Sequence, residues 1–164
     1  TISNNTAGTD GGGIYAGGNI TIDNTGGPSV ISSNSAGRTG GGSWLNHSNR
    51  TSTITRATIA GNSAGDAGGA IRLDSATPAN ALNLSFSRIV NNTAASGKAS
   101  ALSVYNGVAT ATSNWWGCST GPSAAPCDTA KLDPAAGSAS PLGTGTLHFT
   151  PWLRVATTAA AAPL

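Results

Sequence analysis

The sequence predicts an all-β chain wound as a parallel β-helix, a solenoid of about four coils of 28–30 residues with a C-terminal cap. Three observations carry this expectation. One string recurs: Ile2, Ile31, Ile59 and Ile89 are each followed three residues later by Asn5, Asn34, Asn62 or Asn92, then by a hydroxyl residue and an alanine. A glycine block trails the first three copies as Gly11-Gly12-Gly13, Gly40-Gly41-Gly42 and Gly68-Gly69, decaying to Ala99-Ser100-Ala101 in the fourth. Each copy also breaks into short runs of alternating apolar and polar residues, the period of strands. Self-similarity at such a spacing marks an array whose units bury their apolar faces only by stacking on one another.

Composition agrees. Of 164 residues, 23 are glycine and only 9% are charged; all six acids are aspartate. Few long unbranched side chains remain to favour helices. A net charge of +2 with scattered Lys and Arg offers no basic stripe for nucleic acid. No apolar run approaches the roughly 20 residues of a membrane span, and TISNNTAG does not read as a signal peptide.

Within each coil the alternation predicts three strands. The first centre on Ile2, Ile31, Ile59 and Ile89. The second are residues 13–17, 42–46, 69–74 and 100–105, and the third 19–23, 52–56, 81–86 and 108–112. Loop length varies mainly between the second and third strands, so one corner is free to bulge. The inward set is then Ile2, Ile14, Ala16, Ile20 and Ile22; Ile31, Leu45 and Ile54; Ile59, Ile71, Leu73, Leu82 and Leu84; Ile89, Leu102, Val104 and Val108. Like positions stack about 4.8 Å apart. The recurring Asn5, Asn34, Asn62 and Asn92 are expected to form an amide ladder and to tolerate a left-handed corner.

The paired signatures I-x-x-N (Ile2/Asn5 through Ile89/Asn92) and G-G-x-I (Gly11 to Ile14, Gly68 to Ile71) resemble the polymorphic outer-membrane-protein repeat of autotransporter-type surface proteins. The match covers residues 1 to about 112, with Ser43 replacing the isoleucine in the second copy. The resemblance implies a right-handed β-helix on a bacterial surface, and it carries no catalytic residues.

From Ser113 the composition shifts. Asn114-Trp115-Trp116-Gly117, Gly121-Pro122 and Pro151-Trp152-Leu153 resemble the final rung of many secreted bacterial β-helix proteins. Trp115, Trp116 and Trp152 supply apolar area to cover an open core end. Residues 1–112 are thus read as coils, 113–153 as a capping rung and 154–164 as a tail. Cys118 and Cys127 are the only cysteines, nine apart in a loop rich in Pro, Gly and Ser. A disulfide there implies an oxidising compartment; a metal site would need further ligands, and neither His47 nor His148 is close in sequence.

Two outward columns are candidates for chemistry. Asp10, Arg38 and Asp66 occupy one turn of successive coils, which sets the carboxylates two rungs, about 9.5 Å, apart. That spacing suits an inverting glycosidase pair, about 6.5–9.5 Å. It also suits an alternating charge ladder, the preferred reading because the arginine would pair with both acids. Tyr15, Trp44 and Arg72 form the second column, with Arg72 expected against Trp44 as a cation–π contact. This strip reads as a sugar- or partner-binding surface or as a loop-covered face. No catalytic residue, metal or cofactor is assigned.

The expectation is a non-enzymatic, secreted or cell-surface structural or adhesive β-helix, with no membrane span and no nucleic-acid partner. Ile2, Ile14, Ile20 and Ile22 would lie on a bare cross-section. Upstream coils or a protein partner are therefore expected to cover that end, and a glycan is a further candidate ligand. The alternatives are a polysaccharide lyase or hydrolase, or a carbohydrate-binding module, on the same fold.

Overall fold

A computed structural model describes residues 1–74, 80–138 and 141–154; the tail from 155 onward and most of the 75–80 insertion lie outside the described residues. Among these there is no helix, and parallel sheets stack as a β-solenoid of about four turns. Residues about one coil apart are directly paired. Ile2 pairs with Ile31, Ile31 with Ile59, and Ile59 with Ile89.

The first three coils contribute four strands each where alternation predicted three, and in the fourth Thr93 makes only an isolated bridge to Ser63. The additional ones are two residues long, Thr6–Ala7, Ser35–Ala36 and Ser63–Ala64, and form their own three-stranded sheet. They follow the ladder asparagine immediately, too short for a period of two to register. The remaining sheets are of four strands (Ile2–Ser3, Ser29–Ser32, Ala57–Ala60, Arg88–Val90), five (Ile14–Ala16, Ser43–Leu45, Ile71–Asp74, Leu102–Asn106, Ala130–Leu132) and five (Thr21–Ile22, Ser52–Thr55, Asn80–Ser85, Val108–Thr110, Thr146–His148). These are called below the isoleucine, outer-column and closing sheets.

Corners between sheets are built from left-handed residues. The position before each ladder asparagine has positive φ in every coil: Asn4 at 59°, Ser33 at 55°, Gly61 at 65° and Asn91 at 58°. The expected left-handed asparagine is thus displaced by one residue. The ladder side chain is needed for stacking, so its predecessor takes the turn. The first glycine of each block, Gly11, Gly40 and Gly68, also takes positive φ (69°, 68° and 71°), while the second serves close approach. A Cβ on Gly41 would lie 2.2 Å from the Ser63 carbonyl oxygen and 2.4 Å from that of Gly69. In the fourth coil Ser100 occupies this position, and its Oγ accepts a bond from the Thr129 amide at 2.9 Å.

The core is one continuous column of Ile, Leu, Val and Ala from all coils. One inward assignment is corrected. Val108 is half-buried, while Ala109 and Ala111 are fully buried. Leu82 pairs with Ala109 after a register shift in the preceding strand, which reverses the alternation. Ser43 points into this core with no hydrogen-bond partner for its hydroxyl.

Residues beyond 112 carry the stack further. Trp115 bridges to Arg88, and Ala130–Leu132 and Thr146–His148 each add a fifth strand to a sheet. Trp116 is fully buried in the core and Trp152 packs against it, its Nε1 donating to the Ser119 carbonyl at 3.2 Å. Trp115 alternates outward and does not join the core. Cys118 and Cys127 are joined as a disulfide, with Cα atoms 5.1 Å apart.

Candidate functional site

The asparagine ladder runs the length of the solenoid. Asn5 Nδ2 donates to Asn34 Oδ1 at 2.9 Å, Asn34 to Asn62 at 3.0 Å, and Asn62 to Asn92 at 2.9 Å. Each Oδ1 also accepts the backbone amide of the preceding rung, at 3.0–3.1 Å. The second proton of Asn34, Asn62 and Asn92 reaches the isoleucine carbonyl of the preceding coil. The final acceptor is an unforeseen residue, Asp128, whose Oδ2 takes both the amide and the Nδ2 of Asn92. A carboxylate accepts without donating, so it ends a row in which every member donates the same way. Burial pushes the Asp128 carboxyl above its ordinary value, against the hydrogen bonds from Asn92 and Asn91.

The expected charge ladder divides into separate pairs. Arg38 forms a two-point ion pair with Asp10, and Thr39 donates to the same carboxylate through Oγ1 at 2.8 Å. Burial raises the Asp10 carboxyl, but the bonds from Arg38 and Thr39 outweigh it and hold the group below its ordinary value. Asp66 pairs instead with Lys98 at 3.7 Å and accepts the Gly137 amide at 2.8 Å. Among the described residues no three His, Cys, Asp or Glu side chains group as a metal site would need.

Register places Tyr15, Trp44 and Arg72 side by side in the outer-column sheet, as the sequence implies. Their surroundings differ from expectation. Tyr15 is 60% exposed and meets Trp44 edge to face, ring centres 4.8 Å apart. Arg72 is fully buried. Its guanidinium lies 5.6 Å over Tyr105 rather than on Trp44, and bonds Asp74, Ser103 and the Pro134 carbonyl. The cause is a strap formed by residues 133–138 and 141–145, which crosses the outer face of this sheet at the third and fourth coils. Asp133 accepts the Ala99 amide at 3.1 Å, and Lys98 Nζ donates to the Ser138 carbonyl at 3.2 Å. A buried guanidinium is tolerated when its donors are met and its charge is paired, as here by Asp74 at 2.9 Å.

Where the strap meets the half-buried Trp44 and Tyr105 there is an open cleft of about 280 Å³. Trp44, Asn46, Asp74, Tyr105 and Asn106 line it, with Ala135 and Ala136 of the strap at its margin. Trp44 Nε1 donates to Asp74 Oδ2 at 2.8 Å, which fixes the indole against the carboxylate. Asp74, Tyr105 and the two asparagines were missed as site residues. Alternation along the strands puts Asp74 and Tyr105 on the outer face, but only the later strap turns that face into a cleft.

His47 is a buried polar group outside these columns. Its Nε2 lies 2.9 Å from Ser52 Oγ, Nδ1 has no partner, and burial lowers its pKa. Ser52 Oγ already accepts the Ile20 amide and is fully buried, so this contact anchors the 46–51 corner. Comparison with protein-family models, curated proteins and solved structures found no match.

Proposed function

We propose that this chain is a non-enzymatic, secreted or cell-surface β-solenoid with a structural or adhesive role, working as a segment of a longer solenoid or as a subunit of an extracellular assembly. The observation that carries this reading is the relay of side-chain amides through successive coils, which gives a stiff stack of paired rungs. The disulfide suits an oxidising compartment. All four sheets have a first-coil strand at one edge: Ile2–Ser3, Thr6–Ala7, Ile14–Ala16 and Thr21–Ile22. Such edges invite pairing, here with upstream coils or a protein partner. Asp10 and Asp66, the carboxylates a hydrolase of this fold would draw on, are each engaged by their own cation.

Two measurements test the reading. Hydrogen exchange on residues 1–164 should show fast exchange through the first coil, slowing when the covering partner or coils are supplied. A monodisperse monomer with slow exchange throughout that coil contradicts the assembly role. Turnover of acidic or neutral polysaccharide that is lost in Asp10→Asn or Asp66→Asn would favour the lyase or hydrolase reading.

A further inference from the structure

We infer that the cleft between Trp44 and Tyr105 is a subsite for a neutral saccharide, and that this is what an adhesive role of the solenoid would grip. The two aromatic walls are already placed. Trp44 is held by Asp74 and by the edge of Tyr15, and Tyr105 is held over the Arg72 guanidinium. Rings fixed in this way lose little freedom when a ligand arrives. A sugar ring presents apolar C–H faces to such walls and hydroxyls around its rim.

The polar groups between the walls match those hydroxyls. Asp74 Oδ1 is engaged by Arg72 Nε at 3.0 Å and Nη2 at 2.9 Å, whereas Oδ2 takes only Trp44 Nε1 and keeps acceptor capacity. The exposed Asn46 side chain and the Tyr105 hydroxyl make no hydrogen bond among the described residues, so each offers both donor and acceptor. Asn106 Oδ1 is taken by Thr144, which leaves its Nδ2 as a donor. A few polar groups on a largely apolar concavity is the ordinary make-up of a small-ligand site. At about 280 Å³ the cleft accommodates roughly one or two sugar rings.

Charge and topology argue against other occupants. Asp74 is neutralised by Arg72 at 2.9 Å, so the cleft carries no net charge to recruit an ion. An anion would meet the Asp74 carboxylate. A cation would find Arg72 already on the Tyr105 ring. A peptide could not add as a strand, because the strands bearing Trp44 and Asp74 are paired on both sides.

The test is an NMR titration of the ¹⁵N-labelled native chain, reading the four tryptophan indole N–H signals. Neutral tetrasaccharides of glucose, galactose and N-acetylglucosamine are added to about 10 mM, with choline and a galacturonate tetramer as charged comparisons. The expected result is a saturable shift of the Trp44 indole with at least one neutral sugar, while Trp116 stays still. Asn46→Ala and Tyr105→Leu should each weaken binding about tenfold or more with the remaining amide spectrum unchanged. No shift at Trp44, unchanged affinity in both variants, or tighter binding of choline or galacturonate overturns the inference. It rests on the scaffold reading in that the sugar is held and not cleaved, so the ligand is recovered and sized afterwards. Intact sugar without a shift removes the saccharide site alone, whereas shortened sugar removes the scaffold reading.

Discussion

Asn62 sits mid-stack and answers to both neighbours at once. Its Oδ1 takes two donors from Asn34, and its Nδ2 serves Asn92 and the Ile31 carbonyl. Truncation leaves those buried groups unmet at about 1–3 kcal/mol each. Asn62→Ala should therefore cost about 3–5 kcal/mol in urea unfolding, and Asn5→Ala, exposed at the first rung, about 1 kcal/mol. Asp10 supplies a pH dependence. Its folded pKa lies below the unfolded value, so its stabilisation is complete above about pH 4 and is lost as pH falls through the folded pKa. Asp10→Asn should lose stability at pH 7 and show a shallower decline than the parent chain when melting temperature is followed downward from pH 5. Asp10 and Arg38 were legible as neighbours because they sit eight and seven residues after their anchor isoleucines, at the same turn of successive coils. The burial of Arg72 was not, since its cover, Pro134, lies 62 residues away. Asp128 escaped notice for a similar reason: it follows Asn92 by 36 residues, outside the 28–30 spacing that marks the other rungs.

At the level of strands and corners, the second glycine of each block acts by what lies beyond it. Gly41→Ala pushes a methyl group into two backbone carbonyls of the next coil, which cannot step aside, and should cost about 3 kcal/mol or more. Gly8 has nothing within 4 Å of a built Cβ, and Gly8→Ala should be neutral or stabilising by about 0.4–1 kcal/mol. Comparing the two by thermal unfolding separates close approach from general flexibility. The glycine and isoleucine strands could be read from the chain because repetition supplied their phase. The strand at 108–110 was expected too, but which of its faces turns inward could not be read. Val108 is the more apolar choice, yet pairing with Leu82 sends Ala109 inward. Composition therefore chose the wrong face where only register could decide.

For the molecule as a whole, stability is spread along a line of nearest neighbours, so its ends are the natural places to yield. The disulfide constrains one end, closing a loop over a sequence separation of nine residues and contributing about 2–3 kcal/mol in the chain-entropy model. The double variant Cys118→Ser, Cys127→Ser should lower stability by that amount. Hydrogen exchange should show protection lost first at the Asp128 amide, which bonds the Trp116 carbonyl, and later at Asn62. Simultaneous loss at both positions would mean that the coils unfold as one unit.

The row of amides closed by Asp128 has a grammar. Each interior member is interchangeable with the next, and only the terminal carboxylate says stop. A gene could thus duplicate a middle unit between Asn34 and Asn62 and lengthen the rod by one storey without redrafting either extremity. Asparagine in place of Asp128 would instead leave an unspent N–H pair at the end of the row.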